Sequence, residues 1–92
     1  MPIRRIYQMQ KMLITTEQYD SLSVIGKEIH KYWKDFKPQM YREMHKEGTL
    51  WETLSSEDNR LFEMMCDLMQ QGLAEDQARE IVRAEIYDEM MN

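Results

Sequence analysis

One cysteine, two prolines and three glycines are few for 92 residues, and each scarcity removes a class of architecture. Cys66 alone gives no internal disulfide and begins no metal framework; set among Met64, Met65 and Leu68, it reads as a small, partly buried hydrophobe. So little Gly and Pro leaves no stock of turns for a small β-barrel. The three glycines are isolated, so no phosphate-cradling loop exists. No apolar run nears the roughly 20 residues that cross a bilayer, and the first 15 residues lack the uninterrupted apolar segment of a secretory signal. These absences predict a cytoplasmic protein without a membrane segment.

Catalytic groups are also sparse. His30 and His45 belong to no helical ligand motif, neither has a cysteine nearby in sequence, and no serine sits in a nucleophile elbow. The expectation is a non-enzyme with no metal, cofactor or small-molecule substrate. His30 is expected to be a solvated side chain on a helix flank.

What is present is a helical pattern. Ten methionines supply adaptable packing, and 42% hydrophobic residues suffice for one core. Residues 1–14 keep neither a two-residue nor a 3.6-residue period, so they read as a flexible arm or a short strand, with Met9 or Met12 as alternative first residues. Residues 15–92 read as a single helical domain. Thr15 and Gln18 form a reciprocal capping box. Leu22, Ile25, Ile29, Tyr32 and Phe36 then recur at spacings of three and four, with Trp33 at the edge of the stripe. Gly26 interrupts this pattern without ending it, which predicts one helix up to Pro38.

Pro38 also suits the first turn of a second helix, with Met40, Tyr41 and Met44 inward and Gly48 as its C-terminal cap. Leu50, Trp51 and Leu54 read as one helical turn pressed on the core. Ser55 and Ser56 then open a helix carrying Leu61, Met65 and Leu68, which Gly72 stops. The last helix begins at the acidic run near Glu75 and turns Ala78, Ile81, Val82, Ile86 and Met90 inward. The fold expected is all-α, a small bundle of about four helices behind an N-terminal arm.

Charge is divided unevenly. Residues 1–46 hold nine Lys/Arg against five Asp/Glu, whereas residues 47–92 hold three against twelve. A basic binding face beside an acidic body is one meaning; mutual attraction of the halves, within a chain or across a dimer, is the favoured one. Lys27, Lys31 and Lys34 fall opposite the apolar stripe, with Lys37 at its margin and Arg42 beyond. Such a row neutralises phosphates, so these five residues are the candidate nucleic-acid contacts. The alternative is a solvated or internally paired face. The candidate core and interaction residues are Leu22, Ile25, Ile29, Tyr32, Trp33 and Phe36, then Tyr41, Leu50, Trp51 and Leu54. A chain with so thin a core gains by burying edge aromatics against another surface, so a homodimer or another helical protein is the expected partner.

Gly26-Lys27, the run from Tyr32 through Trp33, Lys34, Asp35, Phe36 and Lys37 to Pro38, then Tyr41, and finally Gly48-Thr49-Leu50-Trp51-Glu52-Thr53-Leu54 share order and spacing with a known pattern. Over residues 26–54, about a third of the chain, the sequence resembles the transposon-encoded TnpV-like family. That family has Gly-Lys, a Tyr-x-Lys-Glu-x-Arg-Pro segment, a Tyr, then Gly-x-Leu-Trp-Glu-x-Leu. The resemblance implies a small accessory product of a mobile element, without assigned catalytic activity, working near DNA or a recombination complex. Outside residues 26–54 the match is one of helical character only.

Overall fold

A computed structural model describes residues 11–91, and the side chains of residues 11–87. The segment 1–10, where most of the expected arm or strand falls, lies outside the described residues. Among those described there are five helices and no strand: α1 (Thr16–Ser21), α2 (Val24–Phe36), α3 (Pro38–Glu47), α4 (Leu50–Gln70) and α5 (Glu75–Met91). The fold is a small all-α bundle, as its periodicity foretold.

Several boundaries follow the expected local chemistry. Thr15 Oγ1 accepts the Gln18 N–H at 3.0 Å, and Gln18 Oε1 accepts the Thr15 N–H at 2.9 Å, completing the capping box. Pro38 opens α3. Gly48, at φ 79°, closes it in the left-handed conformation, with its N–H turned back to the His45 and Met44 carbonyls.

Two expected boundaries are corrected. The single helix predicted from Thr15 to Phe36 is two, broken at Leu22 and Ser23 rather than continuing through. Leu22 and Ser23 are both extended, and Ser23 Oγ caps the Ile25 and Gly26 N–H groups at 3.1 and 3.2 Å. Asp58 of α4 stabilises the break by accepting the Ser23 N–H at 3.1 Å and the Ser23 hydroxyl. A carboxylate here also faces the positive end of the α2 dipole. Conversely, the turn at Leu50–Leu54 and the helix expected at Ser55 are one continuous helix. Ser55 and Ser56 lie in its interior and cap nothing, because Leu50, Leu54, Leu61 and Met65 already form one buried face across them.

The core joins Leu22, Ile25, Ile29 and Trp33 to Tyr41, Leu50 and Leu54, and to Leu61, Met65, Ala78, Val82 and Ile86. α4 is its spine, packing against α2, α3 and α5. Ile14 is also buried, so the last residue of the expected arm belongs to the domain.

The buried arc of α2 differs from the predicted stripe. Ile25, Ile29 and Trp33 are buried with Gly26 and His30, whereas Tyr32 is half-buried and Phe36 is 68% exposed. Counted at 100° per residue, the inward face is rotated by about 50° toward Trp33. The cause is that α2 packs against α3 as well as α4, and its flank toward Tyr41 is drawn inward. Trp51, expected in the core, packs against it half-buried. Ile81, expected inward, is 45% exposed, because among the described side chains of α5 it is Ala78, Val82 and Ile86 that reach the core; Met90, also expected inward, lies outside the described side chains.

An aromatic groove with a lysine rim

A groove of about 720 Å³ runs along the outward side of α2, bounded by Met12 and Tyr19 before the helix and by Tyr87 of α5. Its floor is aromatic. The Tyr32 ring lies 5.5 Å from Phe36 and meets Tyr87 edge-on at 4.8 Å, within the range where aromatic pairs attract. Val24, 48% exposed, extends the apolar strip to the start of α2.

Lys27, Lys31 and Lys34 all line this groove, so three of the five predicted cationic residues are brought together. Lys27 Nζ stands 5.4 Å from the centre of the Tyr19 ring, a cation–π distance. Lys31 and Lys34 converge on Asp35 of their own helix at 3.0 and 3.2 Å. Partial burial pushes the Asp35 carboxyl up, but hydrogen bonds from both lysines and their charge outweigh it and hold the group below its ordinary value. Lys37 and Arg42 are not part of this row. They share a separate hollow with Phe36, Pro38 and Glu43 at the α2–α3 junction.

Among the described residues, no ion pair joins these lysines to the acidic half. The ion pair that ties α2 to α5 has the opposite sense: Glu28, from the basic half, receives Arg83 Nε at 2.6 Å and Nη2 at 3.4 Å. Glu28 raises the Arg83 guanidinium above its ordinary value, chiefly by that hydrogen bond.

Behind the groove lies a polar chain that sequence reasoning missed. His30 is 2% exposed, not solvated as expected. Its Nε2 is 2.8 Å from the Tyr41 hydroxyl, which also accepts the Leu13 N–H at 2.8 Å. That N–H takes up one lone pair of the oxygen and leaves the hydroxyl proton available to Nε2 in the neutral tautomer that carries its own proton on Nδ1. Burial, then the charge of Lys34, lower the His30 pKa from its ordinary value, opposed by Asp35. Burial likewise raises Tyr41, opposed by the Leu13 hydrogen bond. Spacing held no signal for this pair, since His30 and Tyr41 sit on different helices.

Among the described residues, no group of three or more His, Cys, Asp or Glu is arranged to hold a metal ion, and no helix is long and apolar enough to cross a membrane. No family model matches the chain, and neither a curated protein nor a solved structure is similar to it at a significant level.

Proposed function

We propose that this chain is a non-catalytic helical interaction module that works in the cytoplasm by binding a helical protein or a second copy of itself. The observation that carries the proposal is the exposure of Phe36 within the Tyr32–Phe36–Tyr87 cluster. Contiguous exposed aromatics are costly to leave in water and are enriched where proteins dock. The resemblance over residues 26–54 supports the further reading of an accessory protein of a mobile element, since Tyr32 and Lys34 of that pattern border this surface.

Phe36→Ser tests the module. It is expected to keep the fold, read by circular dichroism, and to abolish association of the wild type with itself or with a groove-binding peptide. Association unaffected by Phe36→Ser and Tyr87→Ser would overturn the assignment of this surface.

Nucleic-acid binding through Lys27, Lys31, Lys34, Lys37 and Arg42 is the second reading, favoured by the gathering of three lysines beside aromatic rings. It has weaker support. Two of those lysines share Asp35, and Lys37 and Arg42 stand at another hollow. Retention of duplex or single-stranded DNA at low salt, lost when Lys27, Lys31 and Lys34 become Gln, is the measurement that favours it.

A further inference from the structure

We infer that the groove takes an acidic amphipathic helix from another protein, its apolar side chains seated on Tyr32, Phe36 and Tyr87 and its carboxylates beside Lys27 and Lys31. The inference rests on the interaction-module reading and names the chemistry of the partner. Three observations carry it.

The first is shape. The groove follows α2, a helix of 13 residues and thus about 20 Å long. A partner helix of similar length presents apolar residues at positions i, i+4, i+7 and i+11 along one side, the recurring helix-in-groove mode. Val24 and Phe36 stand at the two ends of that strip, both exposed.

The second is charge. Among the described residues, Lys27, Lys31 and Lys34 line the groove together with Glu28 and Asp35. Arg83, from outside that lining, answers Glu28 as well as Glu80, and Lys31 and Lys34 converge on Asp35, so the three lysines of the lining exceed its two carboxylates by one on a chain of net charge −5. A positive lining in an apolar groove of an acidic protein steers a negatively charged partner into it. Lys31 is the most accessible of these, with 73% of its side chain in water while it holds Asp35.

The third separates the acidic helix from the other occupants. A two-fold dimer docking groove to groove sets the same lysine row against itself, which like-charge repulsion opposes. A nucleic acid backbone brings phosphates against Glu28 and Asp35 inside the groove, whereas a helix can direct its few carboxylates to the lysines alone.

The experiment selects, on the intact wild-type chain, from a display library of a stable helix randomised on one face. The most enriched peptide is then measured by fluorescence anisotropy. The expected consensus carries Leu, Phe or Met at i, i+4 and i+7 flanked by Glu or Asp. Its affinity should fall about tenfold or more in Lys27→Glu/Lys31→Glu and vanish in Phe36→Ser. In the double variant, selection should return a lysine-flanked consensus. Circular dichroism confirms that each variant is folded, and Lys27→Gln/Lys31→Gln gives an intermediate loss should the reversal unfold the chain. A neutral or basic consensus on the wild type, or no enrichment, overturns the proposal. Sedimentation showing a wild-type dimer that Phe36→Ser dissolves also overturns it, while leaving the interaction module standing. DNA binding lost with the same lysines overturns both.

Discussion

Asp58 occupies the space that a side chain at position 26 would need. A Cβ built on Gly26 would lie 2.5 Å from Asp58 Cγ and 2.6 Å from Oδ2, so the absence of a side chain on α2 is what admits the carboxylate of α4. That carboxylate holds Ser23, which starts α2. Gly26→Ala therefore does two opposed things. It improves helix propensity by about 1 kcal/mol, and it drives Asp58 from Ser23, with the roughly 1–3 kcal/mol cost usual for overpacking plus a lost cap. The net expectation is a loss of about 1–2 kcal/mol in urea unfolding. A Gly26→Ala variant as stable as wild type would show that Asp58 can move without consequence.

His30 makes stability depend on pH. Its folded pKa lies below the ordinary 6.5, so the unfolded chain binds more protons as the solution is acidified. Stability is then full above about pH 6.5 and declines as pH falls below it toward the folded value. Asp35 adds a separate loss at stronger acid: its folded pKa is depressed, so its contribution is present above 3.8 and disappears as pH falls through the folded value. Thermal melts between pH 7.5 and 5 should show the first decline, and His30→Gln should flatten it at the cost of a lower melting temperature throughout.

The two tryptophans should behave differently on truncation. Trp33 is 2% exposed and fully surrounded, so Trp33→Ala should cost about 3–5 kcal/mol, enough to unfold a domain of this size. Trp51 is half-buried at the edge of the core, and Trp51→Ala should cost about half as much. Equal losses would mean that Trp51 carries more of the core than its exposure shows.

Surface substitutions at the groove should spare the fold. Arg83→Gln removes the pair with Glu28, but its side chain is 38% exposed, and such pairs are worth about 0–1 kcal/mol. Phe36→Ser should leave the melting temperature within a degree or two of wild type. A collapse in either variant would assign these residues to the fold rather than to docking.

The sequence was most legible where structure is local. Capping at Thr15, initiation at Pro38 and closure at Gly48 depend on neighbours within a few residues, and the 3.6-residue period located the helices. It was least legible where a distant element decides. The break at Ser23 is fixed by Asp58, 35 residues away, and the periodic stripe through Gly26 concealed it. The burial of His30 depends on Tyr41 of the next helix. Phe36 fits the apolar period yet is exposed, because among the described residues no element packs over that end of α2. The three lysines of the groove were found by spacing, but Asp35 as the partner of two of them was not, although the i, i+4 relation of Lys31 to Asp35 was available in the sequence.

The packing of α5 has a consequence for how firmly the groove is built. α4 is clasped by α2, α3 and α5, whereas α5 rests chiefly on α4 with a smaller contact to α2. Helices anchored on fewer sides open at lower free energy than the whole. In amide hydrogen exchange, Leu54 and Leu61 of α4 should be released only by complete unfolding, and the amides of α5 should exchange sooner by detachment. Tyr87 travels with α5 while Tyr32 and Phe36 stay with α2. The groove thus has one stiff wall and one that yields, and its width can adjust to the girth of what enters.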